Sequence, residues 1–145
     1  MLKRLLRMAE TSLGPDAFFG KWDVRRKVID HRAGSVYAFA GQAALSATSF
    51  REEGEVSVGP EVFPATRTYR LAFEEASVRV LYPSGNDFIT LGFRPSQAVS
   101  HLCGSDTYTG RFFFRSDDEW VEIWRVRGPQ KRYVSLTRYR RAAEG

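Results

Sequence analysis

Between residues 18 and 141 the apolar residues of this chain recur at every second position, in short runs separated by turn residues. Period two is the spacing of one face of a β-strand, because successive side chains point to opposite faces. No helical pattern interrupts these runs, which disfavours a parallel sheet of strand–helix–strand units. The pattern predicts an all-β antiparallel meander, as in a barrel or a sandwich. The ten predicted strands are Phe18–Ile29, Val36–Leu45, Phe50–Val56, Val62–Phe73, Val78–Tyr82, Asp87–Leu91, Val99–Cys103, Tyr108–Phe114, Trp120–Arg127 and Tyr133–Arg141. 

Two local features modify this pattern. Residues 2–13 have apolar side chains at helical spacing opposite a basic face, and Gly14-Pro15 ends the run. We therefore expect residues 1–14 to form a short helix that covers one end of a barrel built from residues 18–141, all in one domain. A helix lying on a membrane surface is the weaker alternative. Within the second strand, Gly41 suggests a bulge or bend. 

Composition narrows the class of protein. The chain of 145 residues is 43% hydrophobic and 27% charged, as expected for a globular domain. Its single cysteine excludes an intramolecular disulfide, which favours a cytoplasmic location. No run reaches the roughly 18 apolar residues of a membrane span, and no signal peptide is recognisable. The net charge of +5 slightly favours an anionic partner. 

Charged residues occur on strand faces that are otherwise apolar. Arg67 shares its face of the fourth strand with Phe63, Tyr69 and Phe73, and Glu52 shares its face with Phe50. An unpaired charge inside a solid barrel would cost several kcal/mol. These faces therefore either point outward or line a hydrated cavity that holds a polar ligand. Inside such a cavity, Arg67 would bind a carboxylate or phosphate, or would pair with Glu52; the two readings weigh equally. 

The stretch from His101 to Tyr108 concentrates reactive side chains around a turn. His101 and Cys103 share one strand face, Asp106 lies in the Gly-Ser-Asp turn and Tyr108 begins the next strand. Residues two apart on a strand are about 6–7 Å apart, too far for a direct Cys–His nucleophile. Structural zinc needs four ligands, which the chain does not readily supply, while haem ligation by His101 is a further alternative. The simplest interpretation places these side chains on a barrel wall. 

The start of the first strand resembles the calycin barrels. Gly20-Lys21-Trp22 matches their Gly-x-Trp signature, in which the Trp closes the barrel base and an Arg near the last strand packs across it. Over its whole length the chain resembles the bacterial and fungal family known as domain of unknown function 6314. That resemblance implies a calycin-like barrel and no established activity. The chain departs from the family pattern at Ile89, where the family has His. The motifs that carry it are Gly20-x-Trp22 with Arg26, Phe50-x-Glu52-x-Gly54, Arg67-x-Tyr69, His101-x-Cys103-x-x-Asp106-x-Tyr108 and Trp124-x-Val126-x-Gly128-Pro129-x-Lys131-x-Tyr133. 

These observations predict an all-β, antiparallel calycin-like barrel of about ten strands that binds a small anionic or amphipathic ligand in its interior. No metal is predicted, and the sequence assigns no cofactor, catalytic residue or oligomeric state. One alternative is an enzyme that uses His101, oriented by Asp106, as general acid or base. Another, less favoured, is a nucleic-acid-binding module that combines the basic last strands with Trp124, Tyr133 and Tyr139. The predicted ligand-binding residues are Arg67, Tyr69, His101, Cys103, Tyr108, Trp124, Tyr133 and Arg141, and the predicted structural residues are Gly20, Trp22, Glu52 and Asp106. 

Overall fold

The computed structural model describes residues 14–143, which form ten β-strands preceded by a 3₁₀ turn, Pro15–Phe18. All ten predicted strands are confirmed, with ends that differ from the prediction by a few residues. The helix predicted over residues 2–13 lies outside the described residues, and the segment just before the first strand forms only the 3₁₀ turn. The strands are β1 Gly20–Asp30, β2 Ser35–Leu45, β3 Ser49–Val58, β4 Glu61–Phe73, β5 Ser77–Leu81, β6 Asp87–Gly92, β7 Ser96–Cys103, β8 Asp106–Ser116, β9 Glu119–Arg127 and β10 Arg132–Arg141. 

The strands form one antiparallel sheet in the order β6-β5-β4-β3-β2-β1-β10-β9-β8-β7. Strands that are neighbours in sequence pair with each other, except β6 and β7, and β1 also pairs with β10. The sheet curls into a nearly closed barrel, in which β6 and β7 lie side by side without a backbone ladder. We call this line of contact the seam. 

The two ends of the barrel differ in their packing. At the base, the end with loops 46–48, 74–76, 93–95 and 117–118, the ring of Trp22 packs on Trp120 with centroids 4.4 Å apart. Phe18 from the 3₁₀ turn packs there against Phe93 and Phe114. The opposite end, with loops 31–34, 59–60, 82–86, 104–105 and 128–131, is the mouth. The base is therefore filled by aromatic rings. 

The glycine predicted to form a bulge has another function in packing. The pairing of β2 with β1 and β3 continues without a shift through Gly41, so of the expected bulge or bend the structure excludes the bulge. A Cβ atom at Gly41 would lie 2.2 Å from the carbonyl oxygen of Glu53, and one at Gly54 would lie 2.2 Å from that of Ala40. These two facing glycines let β2 and β3 approach closely where the sheet bends. 

Among residues 14–143, no helix is long and apolar enough to cross a membrane. Within the same range, no three side chains of His, Cys, Asp or Glu come together in a way that would hold a metal ion. 

A candidate ligand-binding cavity

The barrel encloses a cavity of about 560 Å³ whose wall is mostly aromatic and aliphatic. A cavity of this volume matches the pockets that hold small molecules and cofactors. Five of the six tyrosines line it, and its charged wall residues are Arg26, Glu52, Arg67 and Glu122. Alternation brings them inward, since each occupies the same strand face as buried apolar neighbours. The cavity is therefore an apolar chamber with a small number of fixed polar groups. 

Glu52 is the centre of the polar cluster in this chamber. Its side chain is 1% exposed, and its two oxygens accept bonds from Arg26 Nη1 and Nη2 at 3.0 and 2.8 Å. The hydroxyl of Tyr139 also donates to Glu52 Oε2. Arg26 Nε donates to Thr137 Oγ1 at 2.7 Å, so its planar fork is held on two sides. Arg26 and Tyr139 thus satisfy the carboxylate already. 

Arg67 is a second cation on the same carboxylate. Its Nη2 lies 3.2 Å from Glu52 Oε2, which shows that the predicted Arg67–Glu52 pair forms. Its Nε is buried and, among the described residues, has no hydrogen-bond partner. The Arg67 side chain remains 39% exposed on the cavity wall, with Cζ 5.3 Å from the centroid of the Tyr69 ring. Two guanidinium groups and one carboxylate give this cluster a net charge of +1. 

The pKa values reflect these contacts. Burial alone would raise the pKa of the Glu52 carboxyl, but the charge of Arg67 and the bonds from Arg26 and Tyr139 outweigh burial and hold it below its usual value. Burial opposes the charge of Arg67, but the negative groups nearby raise its pKa. Burial and the two interior carboxylates raise the pKa of Tyr139 well above its usual value. The cluster is therefore ionised as two cations, one anion and a neutral phenol at pH 7. 

Glu122, the second interior carboxylate, is held by two tryptophans. Trp120 Nε1 donates to its Oε2 at 3.0 Å, and Trp124 Nε1 donates to its Oε1 at 2.9 Å. The indole of Trp124 also packs on the backbone of Gly110, where a Cβ atom would lie 2.8 Å from the ring. These contacts fix the orientation of Trp124 on the cavity wall. 

A stack of aromatic rings crosses the cavity beside the mouth. Phe88 lies between Tyr69 and Trp124, with centroids 5.4 Å from each and interplanar angles of 9° and 20°. Tyr82 packs against both Tyr69 and Phe88. Burial raises the pKa of Tyr82 to about 12, as it does for Tyr133. These phenols therefore stay neutral and act as hydrogen-bond donors as well as aromatic surfaces. 

The predicted ligand-binding residues divide between this chamber and its surroundings. Arg67, Tyr69, Tyr108, Trp124 and Tyr133 line the cavity. His101 faces inward on β7 but lies outside the cavity wall, among the rings of the mouth, 5.2 Å from the centroid of Phe88. Cys103, on the same face, is exposed at the end of β7. 

Arg141 and Cys103 do not line the chamber. The Arg141 guanidinium lies over Trp22 with Cζ 4.2 Å from the ring centroid, and donates to the backbone carbonyls of Phe19, Ala17 and Asp117. It closes the base from outside. Gly20, whose φ is +116°, begins β1 beside it. 

Asp106 contacts a different partner from the one the enzyme alternative requires. Its Oδ2 lies 3.3 Å from Lys131 Nζ, and its Oδ1 lies where a Cβ atom of Gly128 would be, 1.8 Å away. Lys131 also donates to the hydroxyl of Tyr108 at 3.2 Å; these bonds raise its pKa. Within the described residues, no hydrogen bond joins Asp106 to His101. Asp106 therefore ties the β7–β8 hairpin to loop 128–131 and does not orient His101. 

The basic and aromatic residues of the last strands lie on opposite faces. Arg125, Arg138 and Arg140 are exposed on the outer surface, whereas Trp124 and Tyr139 are buried inside the barrel. Binding of single-stranded nucleic acid by phosphate contacts and base stacking needs both kinds of residue on one face. The combination that suggested nucleic acid is therefore absent from the described surface of β9 and β10. 

Sequence reasoning missed several residues of the chamber. Arg26 entered only as part of the family pattern, and Glu122 was not considered. Continuing the alternation from Trp22 to Arg26 and from Trp120 to Glu122 would have found both. Phe88 gives no such signal, because alternation with Ile89 and Leu91 places it on the outer face. 

The fold and the chamber together define a class: calycin-like barrels with an internal cavity. The chain belongs to the family of unknown function DUF6314, whose profile matches residues 18–141. No curated protein matches it significantly. The barrel is similar to that of an S-type phycobiliprotein lyase from Guillardia theta, with a TM-score of 0.64 and 13% identity over 95% of this chain and 97% of that one. 

A second solved structure has a similar barrel. It is a protein of unknown function of the DUF3598 family from Nostoc punctiforme, with a TM-score of 0.58 and 14% identity over 90% of this chain and 50% of that one. At these identities the likeness establishes the fold alone. 

Proposed function

We propose that this barrel binds a small amphipathic molecule in its chamber and that Arg67 holds an anionic group of that molecule. The proposal rests on the surroundings of the Arg67 guanidinium. It is exposed on the cavity wall, its Nε lacks a partner among the described residues, and the carboxylate beside it is already satisfied. An anion in the chamber would accept hydrogen bonds from the exposed part of this guanidinium, and a hydrogen bond to a charged group contributes about 1.5–3 kcal/mol. 

The charges on the wall favour an anion over a cation. Arg26, Arg67 and Glu52 together carry one net positive charge, and Arg67 presents a planar fork that suits a carboxylate, sulfonate or phosphate. The charge of Glu122 is met by two indole N–H groups and leaves no oxygen without a donor. The rest of the wall is largely apolar, so an amphipathic ligand fits it better than a fully polar one. 

The test is binding of the anionic dye 8-anilinonaphthalene-1-sulfonate, followed by its fluorescence. We expect the wild type to bind it and Arg67→Gln to bind it about tenfold to a hundredfold more weakly, because a charge-assisted hydrogen bond contributes about 1.5–3 kcal/mol. Arg67→Gln should fold, since Glu52 keeps its bonds to Arg26 and Tyr139. 

Arg51→Gln is the matched control. It removes the same charge from β3, on the outer surface, where the Arg51 side chain is 55% exposed and, among the described residues, pairs with the exposed Glu53. We expect it to bind the dye like the wild type. Absence of binding to the wild type, or an equal loss in both variants, would contradict the proposal. 

A further inference from the structure

Phe88 occupies a position in the chamber that resembles that of a bound aromatic ring. Its ring is nearly parallel to Tyr69 on one side and Trp124 on the other, 5.4 Å from each centroid. These geometries are those of favourable offset stacking. Tyr69 on β4 and Trp124 on β9 thus form the two walls of a slot, and Phe88 on β6 fills it. 

An irregularity of β6 brings Phe88 into the slot. Val80 pairs with Ile89 and Leu81 pairs with Asp87, so Phe88 is an extra residue in a β-bulge. Ile89 and Leu91 face the core, and regular alternation would therefore turn Phe88 outward. Bulges re-aim side chains and are frequent beside functional sites. 

The Phe88 ring is held less firmly than the rings of Tyr69 and Trp124 on either side of it. β6 pairs only with β5 and is an edge of the sheet, since no ladder crosses the seam to β7. Trp124, by contrast, is fixed by the bond to Glu122 and by the backbone of Gly110. Tyr69 packs on Phe50 and on the Arg67 guanidinium. Edge segments open at a lower free energy than central strands, so Phe88 is the ring that can leave. 

We infer that the chamber selects planar aromatic acids and that the ligand's ring replaces the Phe88 ring between Tyr69 and Trp124. This inference rests on the proposed function, because the acidic group is the one held by Arg67. Arg67 Cζ lies 5.3 Å from the centroid of Tyr69, so the cation that holds the acidic group stands against one wall of the slot. 

Phe88 then acts as an internal competitor of the ligand. A protein whose binding-competent state is only partly populated shows an apparent affinity reduced by that fraction. Removal of the Phe88 ring leaves the slot open and raises the affinity for a flat ring. The bonds of Arg67 are unaffected by this removal. 

The test compares 2-naphthoate with decalin-2-carboxylate, which has the same charge and carbon skeleton but a saturated, non-planar ring system. Binding of each to the full chain is measured by isothermal titration calorimetry for the wild type, Phe88→Ala and Phe63→Ala. Phe63 is the matched control, since it is an inward-facing phenylalanine of β4 that is 48% exposed and lies outside the cavity wall. 

We expect the wild type to bind 2-naphthoate at least tenfold more tightly than decalin-2-carboxylate. Phe88→Ala should bind 2-naphthoate about threefold to tenfold more tightly than the wild type, and Phe63→Ala should match the wild type. Equal binding of the two acids would overturn the aromatic selection and leave the proposed function intact. Weaker binding of 2-naphthoate by Phe88→Ala would show that Phe88 is a wall and overturn its role as competitor. Binding of neither acid would overturn both proposals. 

Discussion

Glu52 is the side chain around which the charged interior of the barrel is arranged. Four groups converge on one buried carboxylate: the two arginines, Tyr139 and, through Arg26, Thr137. A buried ion pair contributes little net stability compared with a well-packed apolar core, but loss of one partner is costly. The Glu52 cluster therefore leaves two cations dependent on a single anion. 

We expect Glu52→Gln to lower the free energy of unfolding by about 3–5 kcal/mol at pH 7, because Arg26, which is largely buried, and Arg67, which is partly exposed on the cavity wall, would lose their counter-ion. Urea unfolding followed by circular dichroism measures this loss. Glu53→Gln, the next residue on the same strand, is the control; its side chain is 67% exposed, and we expect a change below about 1 kcal/mol. 

The stability difference between the wild type and Glu52→Gln should depend on pH. The pKa of Glu52 in the folded protein lies below its usual value of 4.5, so its contribution is fully present above that value and is lost as the pH falls through the lower folded pKa. The stabilities of the wild type and Glu52→Gln should therefore converge as the pH falls below about 4.5. A difference that stays constant as the pH falls would mean that folding does not lower the pKa of Glu52. 

At this scale, alternation predicted part of the chamber from the sequence. It placed Arg67 and Glu52 on faces with apolar neighbours and gave their pairing, which the structure shows, as one of two equal alternatives. It did not predict that Arg26, on β1, takes both oxygens of Glu52, because the sequence does not reveal which strands lie next to each other across the curled sheet. 

The seam is the weakest element of the barrel, and one side chain replaces its missing ladder. The Gln97 amide accepts from the Gly92 backbone N–H at 2.8 Å and donates to the Gly92 carbonyl at 2.7 Å, as a paired strand would. It also donates to the carbonyl of Arg94 at 3.2 Å. Gln97 thus joins β6 to β7 near the base, and the rings of Phe88 and His101 meet across the seam near the mouth. 

We expect Gln97→Ala to lower the free energy of unfolding by about 1–3 kcal/mol, because it leaves half-buried backbone groups of Gly92 without these partners. Hydrogen exchange should accelerate in β6 and β7 while β1 and β10 remain protected. Gln42→Ala is the control, since that amide is exposed and makes one bond, to Asp23. An even acceleration over all strands would show that the seam is not a separate weak unit. 

The seam also marks the limit of prediction for whole elements. The ten strands followed from period two, and the short turns between them implied the antiparallel pairing of sequence neighbours that the structure shows everywhere except between β6 and β7. The position of the seam and the bulge at Phe88 did not, because both depend on how the sheet edges meet after the barrel has curled. The aromatic stack that defines the proposed specificity was therefore hidden from sequence reasoning. 

At the scale of the whole barrel, the two ends have different tasks. The base is filled by aromatic rings and closed by Arg141, whose guanidinium joins the 3₁₀ turn, loop 117–118 and Trp22. The mouth has the bulged edge strand and a ring of aromatic side chains around Phe88. The base is therefore closed by packing and by Arg141, whereas the mouth is ringed by aromatic side chains. 

Arg141→Ala should change the stability of the barrel without changing ligand binding. We expect it to lower the free energy of unfolding by about 2–4 kcal/mol, because it removes the bonds to Phe19, Ala17 and Asp117 and the cation–π contact with Trp22. Its affinity for 8-anilinonaphthalene-1-sulfonate, measured under conditions where the variant is folded, should stay within about twofold of the wild type, since Arg141 is not on the cavity wall. 

Arg140→Ala is the control for this change. The Arg140 side chain is 60% exposed and makes an ion pair with Glu119 on the outer surface, so we expect a loss below about 1 kcal/mol and normal binding of the dye. A fall in affinity for Arg141→Ala comparable to that for Arg67→Gln would mean that the ligand's charge is sensed at the base. The ligand would then have to contact both Arg67 on the cavity wall and Arg141 at the base. A ligand whose ring stacks beside the mouth could not reach both.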